Sequence, residues 1–158
     1  MPVKPVPEGC NTVNAYLVVE NSAEAVEFYQ KAFGAEAGMH MKDPSGKRTV
    51  HVEMRIGDST IMMGDANPQW NMRSAKQLGG SPISLHLYVK DADALFNRAV
   101  SAGCEVEMPI MDAFWGDRYG KVRDPFGITW GIATHKEELT HEEVTRRSAE
   151  FFKSMGGQ

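Results

Sequence analysis

Apolar residues alternate with polar ones at Val13, Ala15, Leu17 and Val19, with Asn14 and Tyr16 between them. The same alternation returns at Val50, Val52, Met54 and Ile56, at Leu85, Leu87 and Val89, and at Ile128, Trp130 and Ile132. A period of two sends one set of side chains to a buried face and the other to a polar face, so each stretch predicts a half-buried strand. Between them the period changes. Ala25, Val26, Tyr29 and Phe33 recur at helical spacing, which predicts a helix over residues 23–33 stopped by Gly34. KDPSGK (residues 42–47) and Gly57-Asp58 read as turns joining strands at 36–41, 48–56 and 59–63. With the strand at 12–19, the order is βαβββ.

The pattern then repeats. YLVVENSAEAVEFYQKAFGAE matches HLYVKDADALFNRAVSAGCEV, with Val19 opposite Val89, Asn21 opposite Asp91, Ala25 opposite Ala94 and Gly34 opposite Gly103. Two copies are too few for a solenoid, so the repeat reads as a pair of modules. The second copy predicts strands at 83–89, 105–111, 120–123 and 128–134, and a helix at 92–102. Module boundaries fall at 10–64 and 83–135, with a linker at 65–82 and a C-terminal helical extension at 136–158. THEE at 140–143 matches a capping box and predicts a helix over 141–155, with Val144, Phe151 and Phe152 on its apolar side. The fold class is α+β: two tandem βαβββ modules form a curved, cleft-forming mixed sheet of eight strands. Helices cover its outer face and a C-terminal helix follows.

Charge and cysteine usage narrow the function classes. A net charge of −4 with scattered signs gives no basic stripe, so nucleic acid is not an expected partner. No apolar run reaches the ~20 residues that span a bilayer, so no membrane partner is expected either. MPVKPVPEGC lacks the apolar core of a secretory signal. Cys10 and Cys104 lie far apart and outside any CxxC, as expected of reduced thiols in a cytoplasmic protein.

Candidate chemistry lies on the polar face of the strands: Asn14 and Tyr16; His51, Glu53 and Arg55; Ser84, His86 and Tyr88; Thr129 and Gly131. A curved sheet wraps such a face into a cleft, and tyrosine, histidine and methionine there suit a small-molecule ligand. The stretch FWGDRYGKVRDPFG (114–127) contributes in two ways. Asp124 to Gly127 form a tight hairpin turn, with Pro125 presetting φ. Trp115 and Tyr119 can stack on a ligand, and Arg118 can grip a carboxylate or phosphate. The alternative for this lip is an Asp117–Arg118 surface pair with Trp115 packed beneath. His40, His135 and His141 read as solvated.

Paired βαβββ modules, AVEFYQKAFGAE after the first strand, HVEMRIGDSTIMM, LGGSPISLHLYV and WGDRYGKVRDPFGITW together resemble the vicinal-oxygen-chelate superfamily. This is the group of glyoxalase I, bleomycin-resistance proteins and extradiol dioxygenases, and within it the resemblance is to PhnB-like proteins. It spans about residues 10–136. Metal-dependent members hold a divalent ion with His or Glu on four strands. The resemblance places those positions at Asn14, Ser84, Gly131 and within Ile61-Met62-Met63, where no His, Asp or Glu stands. The expectation is a ligand-binding protein without a metal cofactor. The alternative is a glyoxalase- or isomerase-type enzyme with one divalent transition metal relocated to His51, Glu53 and His86. The resemblance further implies a homodimer, for which Trp70, Phe151 and Phe152 offer covering surface.

Overall fold

The computed structural model describes residues 2–156. The first module runs β1 (Ala15–Val19), α1 (Ser22–Phe33), β2 (Glu36–Lys42), β3 (Thr49–Ile56) and β4 (Ser59–Asp65). The second runs β5 (Ser84–Tyr88), α3 (Ala92–Ala102), β6 (Glu105–Asp112), β7 (Asp117–Arg123) and β8 (Thr129–His135). Helices begin and end as local chemistry requires. The Asn21 side chain accepts from the N–H groups of Ala23 and Glu24 at the start of α1, and Asp91 accepts from Ala94 at the start of α3. Gly34 closes α1 at φ 68°, a left-handed conformation that favours glycine.

The strands form two four-stranded sheets, β1-β4-β3-β2 and β5-β8-β7-β6, where alternation alone suggested one of eight. In each, the first strand lies parallel to the fourth and the others run antiparallel. The modules meet through helices instead of strand edges. α1 packs on α3, and Arg98 of α3 donates to the C-terminal carbonyls of α1 at Lys31 (2.7 Å) and Gln30 (3.0 Å). β1 and β5 are therefore left at sheet edges.

A single core joins the modules. Val19, Val52, Met54 and Met63 bury from the first sheet, Val122, Trp130 and Ile132 from the second, and Tyr29, Phe33 and Phe96 from the helices. Phe33 and Tyr29 of α1 reach across to Trp130 of β8, with ring centroids 4.6 and 5.4 Å away. Asp124 anchors this junction. One oxygen accepts from the N–H groups of Phe126 and Ile128, closing the DPFG turn; the other accepts from Tyr29 Oη (2.6 Å) and Trp130 Nε1 (2.8 Å). A turn residue of the second module thus holds the helix of the first.

The linker carries more structure than its Gly, Pro and Asn content predicts. A 3₁₀ turn at Pro68–Trp70 precedes the short helix α2 (Ala75–Leu78), whose capping box pairs Ser74 with Gln77. The C-terminal helix α4 spans His141–Met155 and is capped by Thr140. Its Phe151 packs on Phe114 at 5.4 Å, and Arg147 clamps Glu137 with two 3.0 Å bonds.

Helix–sheet packing in the second module leaves no room at Gly120. A methyl there would sit 2.8 Å from Phe96 Cε2 and 3.0 Å from Ile110 Cα. Gly120→Ala is expected to lose about 1–3 kcal/mol in urea unfolding. Retention of wild-type stability would mean that α3 does not sit this close to β7.

Candidate functional site

Each sheet turns its polar face away from the helical core. On the first, Met62 pairs in register with both Tyr16 and Glu53, which places those three side chains together. His51 Nε2 lies 3.3 Å from Glu53 Oε1, and the His51 ring is 5.9 Å from that of Tyr16. Tyr16 lies over Gly64, where a Cβ would meet its hydroxyl at 2.6 Å. Asn14 is committed elsewhere: its amide exchanges two hydrogen bonds with the Asn11 backbone.

The second sheet carries an aromatic strip. His86 of β5 stacks on Tyr119 of β7 at 5.5 Å with only 12° between planes. Tyr88 lies 4.7 Å from His86 at one end, and Trp115 meets Tyr119 edge-on at 5.3 Å at the other. Ser84 is exposed on the same strand face. Burial raises the Tyr119 and Tyr16 phenols, and for Tyr88 the bond to Asp117 does so first, with burial adding to it. All three rings therefore present neutral hydroxyls at neutral pH.

Arg118 does not join this strip. β7 starts at Asp117, three residues earlier than turn signals predict, so Tyr119 points to the polar face and Arg118 to the opposite one. Arg118 forks onto Asp93 of α3 at 2.9 and 3.0 Å and also reaches Asp112. It fastens α3 to the β6–β7 hairpin.

Asp117 has a different set of partners from those its neighbour suggests. Its carboxylate, 2% exposed, accepts from His135 Nδ1 (2.8 Å), Trp115 Nε1 (2.9 Å) and Tyr88 Oη (3.0 Å). Burial pushes its pKa up, but the three donors outweigh that and hold it below the usual carboxylate range. His135 and His40 are thus not merely solvated; His40 Nε2 sits 2.7 Å from Thr49 Oγ1. The bond to Asp117, then that to Glu138, raises the His135 pKa. A raised imidazole adds stability that is present below its ordinary value near 6.5 and lost as pH rises through the folded value. Urea stability of the wild type is therefore expected to fall relative to His135→Gln as pH rises above about 6.5. Parallel pH curves for the two proteins would contradict the Asp117–His135 bond.

The positions at which the family resemblance puts metal ligands, Asn14, Ser84, Gly131 and the Ile61-Met62-Met63 stretch, offer an amide already bonded to Asn11, a serine hydroxyl, no side chain at all and no His, Asp or Glu. At Gly131 the site is closed by rings: a Cβ would lie 2.8 Å from His86 Nδ1 and 3.1 Å from Tyr119 Cε2. Hard or borderline divalent ions need several imidazole or carboxylate donors converging on one point, so these residues do not fit one. Among the described residues no group of three His, Cys, Asp or Glu side chains is placed to hold a metal. His51 and Glu53 come together, while His86 belongs to the other sheet. Cys104 is buried in the core, and burial pushes its thiol up to about 12, so it acts as a packing residue.

Between the free edges of β1 and β5 lies an apolar hollow of about 580 Å³, floored by Ala75 and Leu78 and walled by Val13, Leu17, Ile83 and Leu85. No described helix is long and apolar enough to cross a membrane.

The sequence profile of the Glyoxalase/Bleomycin resistance protein/Dioxygenase superfamily matches residues 11–132. The chain belongs to this superfamily. An uncharacterized protein of Mycobacterium tuberculosis is 39% identical over 135 residues, covering 84% of this chain and 79% of the relative. Among solved structures, the Arabidopsis thaliana gene product At5g48480 is 29% identical at a TM-score of 0.62, covering 80% of this chain and 99% of that one. A PhnB protein from Bacillus cereus, 16% identical, shares the fold at a TM-score of 0.61 over 78% of this chain and 99% of its own.

The residues that alternation missed are Asp117, His135 and Glu138. Asp117 and His135 are cross-strand partners in the β7–β8 register, and register between distant strands is not written in either strand alone.

Proposed function

We propose that this superfamily member binds a small planar molecule without a metal ion, laying it on the His86–Tyr119–Trp115 strip. The observation that carries the reading is the closure of the His86 and Tyr119 rings over Gly131, where a metal-dependent relative would place a ligand. Stacked and edge-on rings favour flat partners, and the neutral tyrosine hydroxyls supply polar contacts without fixing a charge. Equilibrium dialysis against a panel of planar aromatics, para-nitrophenol among them, tests this. Saturable binding at one site per chain is expected, weakened at least about tenfold by Tyr119→Ala through loss of stacking. Binding that needs added Ni²⁺, Zn²⁺ or Mn²⁺, or that ignores Tyr119, contradicts it.

The partner we propose beside the ligand is a second copy of the chain. The edges of β1 and β5 flank an apolar seam at which Val13 is 86% and Ile83 69% exposed. Free edges and apolar seams are what a symmetric partner covers. Sedimentation velocity at micromolar concentration is expected to give the mass of a dimer; a monomer would refute the assembly.

A further inference from the structure

We propose that Asp117 and His135 form a proton-transfer dyad at the end of the aromatic strip. Its substrate would be a planar aromatic or conjugated molecule carrying a weakly acidic C–H or O–H. The proposal rests on the strip being the face where ligands lie, and adds a reaction to it.

The geometry is that of an oriented base. Asp117 Oδ1 accepts a hydrogen bond from the Nδ1–H of His135 at 2.8 Å, so the neutral ring keeps its lone pair on Nε2. Nε2 lies 3.2 Å from Glu138 Oε1, on a side chain that is 49% exposed, and the Glu138 side chain is 95% exposed. The other oxygen of Asp117 accepts from two members of the strip, Tyr88 Oη at 3.0 Å and Trp115 Nε1 at 2.9 Å. One buried carboxylate therefore orients the base and the surface on which a ligand would stack. The groups bonded to the ring are Asp117 on β7 and Glu138 on the segment after β8; Tyr88 on β5 bonds to the same Asp117 carboxylate, and Arg147 of α4 is tied to Glu137 and Glu143.

In the step itself, the ligand gives a proton to Nε2 and keeps the electron pair. The imidazolium is held between Asp117 and Glu138, and the proton then passes to another ligand atom or to water. No redox change and no metal enter. Glu138, being exposed, swings aside when a ligand approaches.

Nitrobenzisoxazole is a suitable probe. Removal of its ring C–H proton breaks the N–O bond and releases a coloured nitrocyanophenolate, with the C–H electron pair forming the nitrile and the N–O pair going to the phenolate oxygen. The expected result is saturable turnover above buffer whose rate rises with pH as His135 loses its proton. His135→Gln should lower kcat at least about tenfold while the phenol product still binds in equilibrium dialysis. Asp117→Asn should move the pH midpoint down, and Glu138→Gln should leave turnover in place with a lowered midpoint. Binding without turnover, or equal turnover in His135→Gln, overturns the dyad and leaves the binding role standing. Absence of binding by wild type overturns both.

Discussion

Asp124→Ala is expected to lose about 3–5 kcal/mol of unfolding free energy, the largest single effect outside the hydrophobic core. The carboxylate is buried and accepts four hydrogen bonds, from Phe126, Ile128, Tyr29 and Trp130. Truncation leaves the Trp130 indole N–H and the Tyr29 hydroxyl without a partner inside the core, at about 1–3 kcal/mol for each stranded group. It also opens the DPFG turn. Asp124→Asn does not rescue the loss, because its amide group would face two donors with two hydrogens of its own. Tyr29→Phe keeps the rings in place and is expected to cost only about 1 kcal/mol. Urea unfolding of the three variants measures this ordering. An Asp124→Ala variant within about 1 kcal/mol of wild type would mean that the helix of one module is not anchored by the turn of the other.

Gly116→Ala comes next, at about 2–4 kcal/mol. Two independent penalties coincide there. The residue has φ 99°, which L side chains rarely adopt, and a Cβ would sit 2.7 Å from the Glu137 carbonyl oxygen, a main-chain atom that cannot swing away. The Gly116 carbonyl also accepts from the N–H groups of Lys136 and Glu137, each at 3.0 Å. Gly116 thus clips the Trp115 lip to the segment that leads into α4. Substitution is expected to loosen both, so limited proteolysis should release the C-terminal helix from the variant faster than from wild type. Equal cleavage and equal stability would refute the clip.

Much of this architecture is legible in the chain. Alternation and helical spacing place both βαβββ modules, and α3 and α4 fall where the pattern sets them. The βαβββ repeat appears because each copy writes the same local instructions. Long-range pairing is less visible. Nothing in AVEFYQKAFGAE says that Tyr29 will reach Asp124, because that contact depends on how two modules dock. Arg118 illustrates a local error with a local cause: starting β7 at Gly120 hides the alternation that sends Arg118 toward α3 and Tyr119 toward the strip. The S-x-x-Q spacing at Ser74 and Gln77 was a readable sign of α2. The Asp117–His135 pairing had none, since it is fixed by the β7–β8 register.

Metal content tests the proposed metal-free ligand face. Tag-free protein, purified without chelator and then incubated with Ni²⁺, Zn²⁺, Mn²⁺ or Fe²⁺ and desalted, would be analysed for bound metal per chain. The expected result is far less than one equivalent of any of them. Near one equivalent of a transition metal, lost on His51→Ala or His86→Ala, would contradict it and place a metal centre across the two polar faces.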